Sequence, residues 1–156
     1  MTASRPIPVP DDLSADYWAA ARRHVLSLPR CSRCDWFAFP PTETCMHCGT
    51  TTPMYRFEPV RGRGSVRSWT VVRNASLLGF ADRVPYLLVD VELAEQPGLR
   101  MVAQLLEGPE TVVHVDDPVL VTFEDIDEEF SIPAFTLAGG STANRTTSPT
   151  PDGSIR

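Results

Sequence analysis

Residues 31–48 read CSRCDWFAFPPTETCMHC, and the spacing within them sets the architecture of everything around them. Cys31, Cys34, Cys45 and Cys48 form C-x2-C-x10-C-x2-C, in which each pair can turn tightly on one metal ion while the interval closes a tetrahedral site. Zinc takes four thiolates at about 2.3 Å, and four protein ligands leave no position for water or substrate, so the expected role is structural. The same cysteines could in principle form two disulfides, a redox dithiol or a rubredoxin-like iron site. Close pairing in a reducing compartment favours metal, and zinc over iron. His47 is a further donor, but four thiolates already complete the shell. Zinc-finger peptides gain roughly 10–16 kcal/mol from zinc, more than so short a loop could gain from burial. The ribbon should therefore unfold without its ion.

Upstream, residues 1–10 carry three prolines and no periodicity, which predicts an extended lead-in. Asp11, Asp12 and Ser14 then supply helix-start chemistry, and Leu13, Tyr17, Ala20, Ala21, His24 and Leu28 recur at helical spacing. One amphipathic helix is expected, stopped by Pro29, with Arg22 and Arg23 favourably placed in its last turns. Downstream, strands are expected at 54–60, 65–73, 85–93, 99–107 and 118–125, with a short one near 111–115. Rich in Val, Leu and Thr and separated by Gly, Pro, Asn and Asp, they predict a small antiparallel barrel or sandwich. No helical crossovers alternate with them, which counts against an α/β fold. From Ala138 the chain, AGGSTANRTTSPTPDGSIR, has little to bury and is expected to be a disordered tail over 138–156.

The 156 residues, 42% hydrophobic and 22% charged, suit one ordinary domain or a small domain with a module. All 14 basic residues are arginine, so Schiff-base lysine chemistry and a phosphate-loop lysine are excluded. No run approaches the roughly 20 apolar residues of a membrane span, and the N-terminus lacks a signal-peptide core, so a cytoplasmic protein with no membrane association is expected. The net charge of −6 opposes long-range attraction to nucleic acid. Its distribution is uneven: nine arginines face three acids between Arg22 and Arg73, whereas residues 104–136 hold nine acids and no lysine or arginine. On the strand SVRSWTVVR, simple alternation puts Arg67, Trp69, Val71 and Arg73 on one face. That face could take phosphates on arginine and a base on Trp69, or could be a solvated surface with one tryptophan covering the barrel end. Gly62-Arg63-Gly64 permits a tight turn and close backbone approach but lacks the rest of a dinucleotide fingerprint.

No catalytic residue is assigned. A G-x-S-x-G elbow is missing, the cysteines are committed to metal, and His24 and His114 stand alone in the sequence. Glu124, Asp125, Asp127, Glu128 and Glu129 read as a solvated acidic turn, since the glycine and spacing of an EF-hand are absent.

The order of parts is itself informative: a helix, the four-cysteine ribbon with Pro40-Pro41 inside it, GRGSV at 62–66, VPYLLVDVEL with Pro85-Tyr86 at its start, DDPVLVTFED and IPAF. Over about residues 13–137 this resembles the rubredoxin-like zinc-ribbon plus OB-fold proteins of domain of unknown function 35. The resemblance implies a mainly β fold: an N-terminal extension and helix (1–30), a zinc ribbon (31–53) and a five-stranded antiparallel OB-fold barrel (54–137). It also implies association with acyl-CoA metabolism, including lipid or steroid degradation. Members form complexes with thiolases, sterol-carrier-type thiolases acting as aldolases, or hydroxymethylglutaryl-CoA synthase, and others are fused to hydratase-like domains. The expected function is a non-catalytic accessory subunit that binds a thiolase-like enzyme and helps hold CoA or acyl-CoA. Arg61, Arg63, Arg67 and Arg73 are the expected contacts to the CoA phosphates. Trp36, Phe37, Phe39 and Trp69 are the expected contacts to the partner or ligand. The alternative is a single-stranded nucleic-acid-binding OB module, which the net charge and the acidic second half disfavour.

Overall fold

The computed structural model describes residues 5–77 and 79–139, so the tail expected over 138–156 lies, from residue 140 onward, outside the described residues. The elements in chain order are α1 (Ala15–Ala21), β1 (Ser27–Cys31), β2 (Tyr55–Pro59), β3 (Arg63–Val72), β4 (Tyr86–Leu93), β5 (Arg100–Leu105), β6 (Pro118–Asp125) and β7 (Ser131–Leu137).

The helix is shorter than its periodicity predicts. His24 adopts a left-handed conformation (φ 56°), and the N–H groups of His24 and Val25 close back onto the carbonyls of Ala21 and Ala20 at 2.8 and 3.1 Å. This Schellman closure ends α1 two turns before Pro29 and leaves Arg22 and Arg23 beyond its last turn. The chain then straightens into β1, where Pro29 sits in an edge strand rather than after a helix. Tyr17, Ala20 and Ala21 form the buried face of α1, and burial pushes the Tyr17 hydroxyl pKa up.

β1 pairs antiparallel with β2, from Ser27 opposite Pro59 to Cys31 opposite Tyr55. The strand expected over 54–60 therefore belongs to a two-stranded sheet beneath the ribbon, and the barrel draws its fifth strand from β7 instead. The closed barrel runs β3-β4-β5-β7-β6. Its ladders are antiparallel except where β5 meets β7 in parallel at Leu105 and Phe135, so the barrel is mixed rather than wholly antiparallel. β7, SIPAFTL, was hidden by Pro133 and by apolar residues on both faces, which erase a period-two signal. Residues 111–115 form no strand and belong to the β5–β6 connection.

Inside the barrel, Val66, Leu87, Val89, Val91, Leu93, Met101, Leu105, Val119 and Phe135 form a core that is continuous with Tyr17, Leu26 and Leu28 of the N-terminal segment. Two glycines permit the closure. A Cβ on Gly62 (φ 63°) would lie 2.2 Å from Cγ1 of Val121, and one on Gly64 would lie 2.4 Å from Cγ1 of Val91 and 2.6 Å from the Glu92 carbonyl oxygen. The β4–β5 turn fastens the remaining pieces together. Glu95 Oε1 accepts the N–H groups of Arg61 and Gly62 at 2.9 and 3.1 Å. The buried Gln96 side chain accepts the Phe37 N–H at 2.8 Å and donates to the Phe37 carbonyl at 3.1 Å.

Candidate functional site

The four cysteines lie on two loops with the same backbone design. In the first, the Asp35 N–H bonds to the Cys31 carbonyl (2.9 Å) and the Cys31 N–H to the Trp36 carbonyl (3.0 Å). In the second, the Gly49 N–H bonds to the Cys45 carbonyl (2.8 Å) and the Cys45 N–H to the Thr50 carbonyl (2.9 Å). The residue after each second cysteine, Asp35 at φ 58° and Gly49 at φ 71°, is left-handed, a conformation that Gly and Asp tolerate best. The two halves therefore present their sulfurs to a common centre.

All four Sγ atoms lie within 4.8 Å of one another, with Cys31–Cys48 at 4.0 Å and Cys34–Cys45 at 3.8 Å. A tetrahedron with bonds of about 2.3 Å has edges of about 3.8 Å, so this cage fits a zinc ion. Disulfide bonds near 2.05 Å are not what these separations describe. In the metal-free thiols, burial and the neighbouring thiols push Cys34 up to about 12. Burial opposes ionisation of Cys45 as well, but the N–H groups of Cys48 and His47, together with the Cys31 and Cys48 thiols, outweigh it and bring that thiol down to about 7. Four thiolates can coexist here only around a cation, which makes the metal part of the fold. Charge also organises the flank. Arg30 and Arg56, directly opposite on β1 and β2, are separated by Asp35 and Glu58, with Arg30–Glu58 and Arg56–Asp35 each at 2.9 Å.

The expected aromatic contacts divide into two kinds. Trp36, 37% exposed, stacks on His47 with ring centroids 4.3 Å apart, and Met46 beside it is 84% exposed. Phe37 and Phe39 are instead partly buried: Phe37 lies under the Arg30 guanidinium (5.1 Å) and Phe39 against Tyr17 (5.4 Å). Together with Leu99 these residues line a cleft of about 280 Å³ between ribbon and barrel. Trp69 stands apart on β3, opposite Val89.

The expected arginines are not brought together. β3 carries a bulge between Val66 and Ser68 that inserts Arg67 as an extra residue, so inward parity passes from Gly64 and Val66 to Trp69 and Val71. Simple alternation across Arg67 therefore fails. Arg67 is paired with Asp116 at 2.8 Å and lies 3.7 Å from Glu92. Arg63 opens β3 and Arg73 follows its last residue, up to about 30 Å away along an extended strand. Among the described residues, Arg61, Arg63 and Arg73 make no ion pair. The charge asymmetry of the sequence is partly cancelled in space, because Arg5 and Arg83 both pair with Glu124.

His24, His114, Asp125 and Asp127 have structural partners. His24 Nε2 meets Asp125 Oδ1 at 2.7 Å, and the Ser131 hydroxyl donates to the same oxygen at 2.6 Å. His114 lies 3.4 Å from Asp117, and Asp127 accepts the N–H groups of Glu129 and Phe130, so the acidic turn is internally bonded. Sequence reasoning missed Glu95 and Gln96. A Glu-Gln pair in a turn carries no motif, and only the approach of the ribbon gives these side chains their task. Among the described residues, no helix is long and apolar enough to cross a membrane.

A four-cysteine ribbon joined to a closed five-stranded barrel defines a zinc-ribbon plus OB-fold protein. Residues 18–53 match the family described as the ChsH2 rubredoxin-like zinc ribbon domain, and residues 57–124 match the ChsH2 C-terminal OB-fold domain. The chain thus carries a ChsH2-type zinc ribbon followed by a ChsH2-type OB-fold domain, and its cysteines form a structural zinc site. It is similar to a solved chain of the Ltp2-ChsH2(DUF35) aldolase, with 27% identity and a TM-score of 0.72, covering 85% of this chain and all of that one. It is also 30% identical over 135 residues to a probable enoyl-CoA hydratase alpha subunit of Thermomonospora curvata, covering 85% of this chain. The chain spans only 40% of the length of that relative.

Proposed function

We propose that this protein is a non-catalytic accessory subunit that docks on a thiolase-like enzyme and helps hold a CoA or acyl-CoA substrate. The observation that carries the reading is the likeness, over the whole of the matched chain, to a component of an aldolase assembly. The ribbon surface supports it: Trp36 and Met46 project beside a cleft lined by Phe37, Phe39 and Leu99, and aromatic and Met side chains at a concave edge suit a protein interface. The rigid ribbon holds that edge in place, and the partner supplies the reacting groups.

In this reading the CoA phosphates fall to Arg61 and Arg63, which flank Gly62 and whose guanidinium groups carry no carboxylate partner among the described residues. Arg67 is already paired, and Arg73 is too distant to share the same phosphates. Lipid or steroid degradation is the proposed setting. A nucleic-acid reading loses its main support with the parity change in β3, which breaks up the face on which Arg67, Trp69 and Arg73 were to act together.

Calorimetric titration of CoA into the protein, alone and co-expressed with a thiolase-like enzyme, tests the proposal. The complex should bind CoA, and replacing both Arg61 and Arg63 by Ala should weaken binding about tenfold, equivalent to about 1.4 kcal/mol. Binding that is absent in both preparations, or indifferent to these arginines, would defeat the phosphate assignment. A gel shift with single-stranded DNA at low salt should show no retardation.

A further inference from the structure

β3 is ten residues long, yet β6 covers only its first three, Arg63 to Ser65. Val66 is then tied on both sides of its peptide, accepting from Asp116 at 2.8 Å and donating to Asp117 at 3.0 Å. From Ser68 to Val72 the strand pairs with β4 alone, and among the described residues nothing bonds its other edge. An open edge of this kind presents unpaired backbone donors and acceptors in register for another strand. Trp69, 44% exposed, stands on it.

The residues along this edge are complementary to themselves. Antiparallel pairing about a two-fold axis through Thr70 sets Ser68 opposite Val72, Trp69 opposite Val71, and Thr70 opposite its own copy. Aromatic with β-branched, and Thr with Thr, are favourable cross-strand pairs. The same register carries Arg73 of each copy to the level of Arg67, Asp116 and Glu92 of the other. That group has a net charge of −1, and its Asp116 carboxylate is 71% exposed. Arg73, without an ion pair among the described residues, meets an acid there. The bulge at Arg67 fixes where pairing ends, because the extra residue turns the strand away.

We propose that Ser68–Val72 is a homodimerisation edge, on which a second copy of this chain adds its own β3 antiparallel to continue the sheet through two barrels. The edge involves neither the ribbon nor its cleft, so the surface proposed for the enzyme partner stays free. A contact of five residues per strand is at the small end of specific interfaces, and the association is expected at tens of micromolar and above.

Sedimentation equilibrium of the full, zinc-replete chain from about 5 to 500 μM provides the test. A monomer–dimer equilibrium is expected. Arg73→Asp should weaken it at least tenfold, Asp116→Arg should do the same, and the double charge swap should restore it. Restoration by the swap is the decisive arm, since a fold defect in either variant cannot produce it. A monomer at every concentration, or a dimer indifferent to the three variants, would overturn the proposal. So would a chain that stays monomeric alone while the same variants abolish co-purification with a thiolase-like enzyme, an outcome that would give the edge to that partner. Loss of the enzyme complex with the dimer intact would instead count against the accessory role alone.

Discussion

Gln96 shows how much one side chain can decide once the fold has formed. Its amide satisfies both backbone groups of Phe37, two residues before Phe39 and three after Cys34, and so ties the ribbon to the β4–β5 turn. Gln96→Ala should cost about 1–3 kcal/mol in urea unfolding, because the Phe37 N–H and carbonyl lose their partners within a partly buried contact. Zinc content should be unchanged. On β3, Gly64→Ala should destabilise by about 2 kcal/mol or more, since the new methyl meets the Glu92 backbone, which cannot move aside as a side chain can. The cysteines and the close approach at Gly62-Arg63-Gly64 were legible in the sequence because their chemistry is local. Glu95 and Gln96 were not, since their meaning depends on a segment about 60 residues away in the chain for Gln96 and about 30 for Glu95.

Among the elements, the sequence correctly indicates where β3, β4, β5 and β6 lie, and fails wherever a local rule is overridden. The helix periodicity is real as far as Ala21, but the left-handed turn at His24 outweighs it, and a non-Gly residue there gives no warning. β2 has strand composition, yet composition cannot tell a barrel strand from one that props up a metal loop. The bulge at Arg67 reverses the faces of half a strand, and a one-residue insertion leaves no mark on the pattern. Beside the His24 turn, the Ser131 hydroxyl and His24 hold the Asp125 carboxyl below its usual range. A lowered folded-state pKa stabilises above the unfolded value, near 4, and that contribution fades as pH falls through the folded value. Asp125→Asn should therefore lower stability at pH 7, and the two proteins should converge as pH falls through the lowered folded-state value, as thermal melts across pH would show. For the ribbon, Cys45→Ser should abolish stoichiometric zinc binding and melt residues 31–53 while the strands of the barrel persist. Metal analysis and amide hydrogen exchange would read the two effects separately.

On the scale of the whole molecule, ribbon, helix and barrel share one continuous core, so the zinc site stiffens a surface that lies outside it. The overall architecture was legible because the order of motifs is distinctive. The separation of the arginines was not, because charge counted along the chain ignores the carboxylates that fold back onto it, as Asp116 does onto Arg67. A scaffold of this kind acts through what it holds in place, and its effect should appear in another protein's turnover. The most direct measurement is the carbon–carbon bond-cleaving or bond-forming rate of a co-expressed thiolase-like enzyme, assayed on an acyl-CoA with and without this chain. The enzyme should gain at least tenfold in kcat/KM from the zinc-loaded chain and nothing from the Cys45→Ser chain, while the chain alone turns over no substrate. An enzyme indifferent to the chain, or turnover by the isolated chain, would contradict the account.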